Sequence, residues 1–297
     1  MRAAVVINPV KSDVAAVVDR IDQTLAAAGW EPALWLETTP QDPGQDKARA
    51  AVESDAALVM ICGGDGTVLA CLGALSGSGV PVAILPVGSG NLLARNLGIP
   101  LDLDAALAVA VRGSDRRIDL GLVDDVPFAV MAGMGFDAAM MADTTERMKR
   151  FAGWPAYIVS AVRHLRDPVM RVQLQIDDGP PLRRAARTVL VGNIGQLEGG
   201  LELLPDAAAD DGILDVVVVA PRTLRDWLRV IYRVVRRSHT QDRRLERFRG
   251  QVISVEADRV SPRQMDGEVI ADGRGFDVCV APGALLVRVP QSAAAAA

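Results

Sequence analysis

Unbroken apolar runs alternate with stretches of helical spacing through the first third of the chain. Residues 3–7 (AAVVI) form one such run, ended by Asn8-Pro9, and Val14, Val17, Val18, Ile21 and Leu25 then recur at helical intervals until Gly29. The same reading predicts strands at Pro32 to Leu36, 56–62 and 80–85, and helices over 45–53 and 67–76. A strand that is apolar at every position is buried on both faces, and a helix between successive strands supplies the crossover that parallel pairing needs. The first third therefore predicts an α/β domain built on a parallel sheet covered on both sides, with ligands beyond the carboxyl ends of its strands.

The texture changes near residue 118. β-like runs recur between turn signals at Arg117 to Val123, Phe128 to Ala132, Val169 to Ile176, Thr188 to Ile194, Ile213 to Ala220, Gln251 to Ala257, Gly275 to Ala281 and Ala284 to Val289. This spacing predicts a mainly antiparallel β-sandwich or barrel, interrupted by helices over 139–166 and 222–238. The expected division is an α/β domain over 1–120, joined by the segment 284–290, a β-rich domain over 121–283, and a frayed tail over 291–297.

Half of the 297 residues are apolar and 23% are charged, enough to bury a large core. Two histidines (His164, His239) and three cysteines (Cys62, Cys71, Cys279), with no HExxH and no CxxC, argue against a zinc site or a redox dithiol and for a reducing, cytoplasmic location. Chemistry then falls to carboxylates, glycine loops and arginines. The N-terminal apolar run is too short for a secretory signal, and no run approaches the roughly 18 apolar residues that span a bilayer. A net charge of −5 argues against a globally basic nucleic-acid binder and leaves room for a local basic patch. That average conceals residues 222–249, where ten arginines stand against three acids. On its helical part Leu224, Trp227, Leu228, Ile231 and Val235 share a face, with Arg225, Arg229, Arg233 and Arg236 around it. Such a segment reads either as a peripheral contact with an anionic membrane surface or as a helix packed on its own domain with a solvated arginine edge.

Three loops follow strands of the α/β domain: Asn8-Pro9, Gly63-Gly64-Asp65-Gly66-Thr67 and Pro86-Val87-Gly88-Ser89-Gly90-Asn91. Paired glycines before a helix let the backbone fold tightly and present N–H groups to phosphate oxygens, which a helix N-terminus favours. A carboxylate in such an anion site repels phosphate unless a divalent cation lies between them, so Asp65 implies Mg²⁺. The alternative is a tight turn in which Asp65 caps the helix beginning near Val68. The second loop adds the Ser89 hydroxyl, the Asn91 amide and, one helical turn on, Arg95, all able to address phosphate. Far downstream, Asp266-Gly267-Glu268 sets two carboxylates around a glycine, either a metal and proton-acceptor pair or an ordinary hairpin turn.

Taken in order, these loops with Gly133-Met134-Gly135-Phe136-Asp137-Ala138, Gly192-Asn193, Asp211-Gly212-Ile213-Leu214-Asp215 and Asp266-Gly267-Glu268 resemble the diacylglycerol kinase catalytic family, in particular the soluble bacterial lipid kinases related to sphingosine and ceramide kinases. The resemblance implies Mg²⁺-dependent phosphoryl transfer from ATP to a hydroxyl of diacylglycerol or a related lipid, with ATP between an NAD-kinase-like α/β domain and the β-rich domain. It implies ATP contacts from Asn8, Thr39, Gly63, Gly64, Asp65, Gly66, Thr67, Gly88, Ser89, Asn91 and Arg95. It further implies Asp65, Asp266 and Glu268 as the catalytic carboxylates, Asp137 as a contact to the lipid headgroup, and metal ligands at Asp65 and at Asp211 with the carbonyls of Leu214 and Val216.

Two positions depart from the family pattern. Lys11 and Ser12 follow Asn8-Pro9-Val10 where the family commonly reads NPxxG, and Leu92 follows Asn91 where it commonly carries an aspartate. Lys11 offers a phosphate contact of its own. A kinase of a soluble substrate, like the NAD kinases that share a GGDGT-type loop, and a nucleotide- or lipid-binding regulator without turnover are the competing readings.

Overall fold

A computed structural model describes residues 1–10, 14–135, 169–195, 203–221, 223–236 and 244–291. The chain divides into two compact units, Met1–Asp119 with Pro282–Ala297, and Leu120–Ala281.

In the first unit, β1 (Ala3–Ile7), β2 (Leu34–Glu37), β3 (Leu58–Gly63) and β4 (Val82–Pro86) run parallel, with β1 between β2 and β3 and with β4 beyond β3. Every residue of β1, β3 and β4 is buried, as their unbroken apolar sequence requires. The connecting helices are α1 (Val14–Ala27), α2 (Gln45–Glu53), α3 (Asp65–Leu75), the short α4 (Leu92–Asn96) and α5 (Leu103–Arg112). Helix α1 buries Val17, Ile21 and Leu25 and gives way to Gly29, whose φ of 76° only glycine adopts cheaply. Helix α5 is a sequence signal that periodicity alone did not isolate: Asp102 caps it by accepting from the Ala105 N–H, and Asp104 pairs with Arg20 of α1. The last strand of the chain, β14 (Glu268–Val289), returns here, where Val287 pairs in parallel with Val82. Because the chain leaves β1 for β2 on one side and resumes at β3 on the other, the sheet has its switch point between β1 and β3.

The second unit is antiparallel. Strand β5 (Ser114–Val123) forms a hairpin with β6 (Val126–Phe128), and β7 (Met131–Gly135), β8 (Met170–Ile176), β9 (Leu182–Ala186), β10 (Thr188–Gly192), β11 (Leu214–Val219), β12 (Leu245–Gly250) and β13 (Val252–Met265) follow. The ladder runs β12-β11-β10-β7-β13-β14, with the β8–β9 hairpin attached to β13. Helix α6 (Leu224–Val235) inserts Val230 into a cluster of Leu190, Leu203, Leu204, Val217, Val219 and Leu245.

Several expected boundaries shift. The run 128–132 divides into β6 and β7, and the runs at 275–281 and 284–289 belong to one long strand. Strands β9 and β12 carry too many charges to read as strands; their places are fixed by pairing with β8 and β11. The described parts of the basic stretch 222–249 fall in a helix and a strand. The helix expected over 139–166 lies outside the described residues.

Candidate active site

The three loops of the first unit meet at the carboxyl edge of the parallel strands. Asn8 follows β1, donates its backbone N–H to the Cys62 carbonyl and its side-chain amide to Thr67 Oγ1 at 3.4 Å, and accepts from the Val10 N–H. Gly64 caps α3 in an extended conformation with no side chain to satisfy the first-turn amides. Space, not dihedral angle, demands glycine at two positions. A Cβ on Gly63 would lie 2.6 Å from Thr67 Cβ, and one on Gly88 would lie 2.5 Å from Gly64 Cα. The two glycine loops thus pack backbone against backbone.

Asp65 joins these loops. Its carboxylate accepts from the Asn91 N–H at 2.7 Å and the Leu92 N–H at 2.6 Å. Asp65 is the first residue of α3, and α3 has no side-chain cap; its carboxylate caps the start of α4 instead. Asn91 sits in the left-handed region at φ 52° and closes the loop on Gly88, donating to the Gly88 carbonyl at 2.7 Å and accepting from the Gly88 N–H at 3.1 Å. Arg95 donates Nε to the Gly90 carbonyl at 2.8 Å, so it braces the loop from the exposed side, next to exposed Ser89. Thr39 Oγ1 accepts from the Asp42 N–H, and Asp42 in turn accepts from the Gly44 and Asp46 N–H groups at the start of α2. Gly66 opens α3 beside Asp65. Lys11 lies outside the described residues.

The second unit holds Asp266-Gly267 as the two-residue turn of the β13–β14 hairpin, with Met265 opposite Glu268. Both turn residues have positive φ, 48° and 89°, the pattern of a tight hairpin connection. The Asp266 carboxylate is buried and accepts three backbone N–H groups, Ala129 at 2.7 Å, Val130 at 2.8 Å and Met131 at 2.9 Å, while its own N–H donates to the Met131 carbonyl. Three such donors tie the hairpin turn to the β6–β7 connection. Fully buried Asn193 donates to the Ala129 carbonyl at 3.0 Å, and buried Gln264 accepts from the Gly267 N–H at 3.1 Å. Glu268, one residue past the turn, is exposed. Asn193 stands within a motif and Gln264 two residues before one, but their positioning role was visible only once the strands were paired. Asp137 lies outside the described residues.

A third cluster surrounds β11. Leu214 and Val216 lie opposite Gly250 and Phe248 in the ladder. Asp211 accepts from the Ile213 N–H and pairs with the Arg249 guanidinium, whose Nε is 3.3 Å from Asp215. Asp215 is buried, its Oδ2 makes no hydrogen bond, and burial pushes its carboxyl up to about 6, with Asp211 and Asp206 adding to the rise and Arg249 opposing it. Among the described residues, no group of three or more His, Cys, Asp or Glu side chains converges on one point.

Residues 2–123 match the diacylglycerol kinase catalytic domain, and residues 129–289 match the YegS C-terminal NAD kinase beta sandwich-like domain. A Chromohalobacter salexigens protein named "Probable lipid kinase YegS-like" is 32% identical over 83% of this chain and 80% of its own length. The diacylglycerol kinase of Bacillus subtilis is 27% identical over 90% of this chain and 89% of its own. A crystal structure of a diacylglycerol kinase from Bacillus anthracis str. Sterne superposes with a TM-score of 0.75 at 20% identity, covering 97% of this chain and 96% of that one. An Archaeoglobus fulgidus NAD kinase in complex with ATP superposes with a TM-score of 0.53 at 16% identity, covering 97% and 93%. The α/β unit and the β-rich unit are thus shared in fold by both kinds of kinase.

Proposed function

The chain belongs to the diacylglycerol kinase and YegS-like lipid kinase family, and from that premise we propose that it transfers the γ-phosphoryl group of ATP to a hydroxyl of diacylglycerol or a related lipid, with Mg²⁺. The observation that carries the reading is the Asp65 bridge. One carboxylate joins the loops after β3 and β4, so the two glycine turns form a single backbone-lined surface at the start of α3. Backbone amides at a helix N-terminus suit phosphate oxygens, and phosphoryl transfer depends on such positioning more than on covalent catalysis.

In the proposed reaction, the lipid hydroxyl oxygen forms a bond to the γ-phosphorus, the bond to the β,γ-bridging oxygen breaks, and ADP leaves. The hydroxyl proton passes to a carboxylate. Glu268 is the proposed acceptor, because it is exposed at the hairpin while Asp266 is committed to three amides. Asp266 then acts as the positioning residue that fixes the turn. Asn8, Thr39 and Arg95 hold their loops in place, with the Ser89 hydroxyl open to solvent.

The oxygen-rich donors fit a hard divalent cation at two places. Asp65 presents a half-buried carboxylate at the junction of the two glycine loops. At β11, the unpartnered Oδ2 of buried Asp215 beside Asp211 leaves more negative charge than Arg249 offsets. Asp211 with the carbonyls of Leu214 and Val216 is the proposed ligand set there. Bound Mg²⁺ would supply charge neutralisation at the phosphate oxygens or, at β11, tie the strand end.

The test incubates the full chain with γ-labelled ATP and Mg²⁺ against detergent-dispersed diacylglycerol, sphingoid, polyprenol and, separately, NAD. Label in a lipid, lost in Glu268→Gln, supports the reading. Label in NADP would replace it with the soluble-substrate reading, and ATP binding without any turnover would favour a regulator.

A further inference from the structure

Helix α6 inserts Val230 into its own unit and leaves arginines exposed, as one of the two sequence readings expected. Val230 enters the core cluster, and buried Asp226 pairs with Arg244. The arginines of β12 have partners in their own unit: Arg247 donates to the Leu203 carbonyl and Arg249 pairs with Asp211 and Asp215. Among the described side chains here, Arg225, Arg229, Tyr232 and Arg236 are exposed. Their spacing of four, three and four residues puts them on one strip of the helix, about 17 Å long. Tyr232 is 59% exposed, and the Arg236 guanidinium sits 5.3 Å from the centre of its ring. Among the described residues, none of these three guanidiniums meets a carboxylate.

We propose that this strip is a docking surface for the anionic headgroups of a lipid bilayer. Charge complementarity carries the argument: three unpaired guanidiniums in a line within a protein of net charge −5 collect phosphate esters, and arginine forks match phosphate oxygens in pairs. A straight strip lies flush on a plane, and a tyrosine set among the arginines presents an amphipathic ring suited to headgroup depth. Val230 faces the core and the exposed strip carries three guanidiniums, so the proposed attachment is electrostatic and salt-sensitive. The choice of a bilayer over other polyanions rests on the lipid-kinase reading.

The experiment measures cosedimentation of the full chain with phosphatidylcholine vesicles with and without phosphatidylglycerol, at low and high salt. The wild type should bind only the anionic vesicles and release in high salt. Each guanidinium is expected to contribute about fivefold, so R225Q/R229Q/R236Q should bind about 100-fold more weakly, while R225K/R229K/R236K keeps most of the affinity. Tyr232→Ala should lose a few-fold. The thermal midpoint of the glutamine variant and its activity on detergent-dispersed lipid should match the wild type, which separates docking from folding and from catalysis. Wild-type failure to bind, or equal binding by the glutamine variant, overturns the proposal. So does arginine-dependent binding to single-stranded oligonucleotides without binding to vesicles. Arginine-dependent vesicle binding in a chain that phosphorylates no lipid would leave the docking surface standing and remove the kinase reading.

Discussion

Asp65 and Asp266 solve the same problem in the two units at different depths. Each sits at a turn and holds a distant backbone segment by accepting main-chain N–H groups, two from Asn91 and Leu92 in one case and three from Ala129, Val130 and Met131 in the other. Asp65 is half-buried at the head of a helix; Asp266 is buried in a hairpin. The difference teaches how a carboxylate's surroundings divide its work. Asp65 lies half-buried, within reach of solvent, whereas Asp266 is buried in main-chain hydrogen bonds and the nearby Glu268 is exposed. Under the proposed mechanism this is the division between a cation-side carboxylate and a positioning one.

The largest test of this contrast is Asp266→Ala. It leaves three buried N–H groups without an acceptor and should destabilise the chain by about 3–5 kcal/mol in urea unfolding followed by circular dichroism. A loss below about 1 kcal/mol would erase the distinction between the two aspartates. Asp65→Asn should cost less, about 1–2 kcal/mol, because water can reach the freed amides. Its ATP affinity, read by calorimetry, should nonetheless fall by more than that of Asp266→Ala variants that remain folded.

A third carboxylate sharpens the comparison from the other side, since Asp215 is buried without enough donors. Its folded value of about 6 lies above the ordinary 3.8, so the native state binds the extra proton between these limits. The stability this confers is present below about 3.8 and lost as pH rises through about 6. In chelator, Asp215→Asn should therefore raise stability by about 1 kcal/mol at pH 7 or above, with the gain vanishing toward pH 4. A gain that is constant across pH would contradict the burial argument. The smallest effect concerns thiols. Burial pushes Cys62 and Cys71 up to about 12, so a thiol reagent at mildly alkaline pH should titrate only half-buried Cys279 in the native chain and all three after unfolding.

The parallel sheet was legible because β1, β3 and β4 are apolar at every position, and their strands fall within two residues of expectation. The loops that follow them were legible because glycine pairs are conspicuous. Which atoms those loops use was not. Nothing in GGDGT distinguishes a carboxylate that caps its own helix from one that caps the next, since that depends on Gly88 approaching Gly64 across the sheet edge. In the second unit, β12 was hidden by its three charges, which find Arg184, Asp211, Asp215 and the Leu203 carbonyl in other segments. Long-range pairing decides such strands, and local pattern carries no trace of it.

The return of β14 to Val82 has a consequence for synthesis. The first unit is built from both ends of the chain, so on the ribosome β4 stands as an open sheet edge until the segment around Val287 has emerged. A nascent chain halted before that point would display an apolar, hydrogen-bonding edge with no partner, a target for holdase chaperones and a seed for aggregation. Emergence of β14 is thereby the step that closes this edge of the first unit.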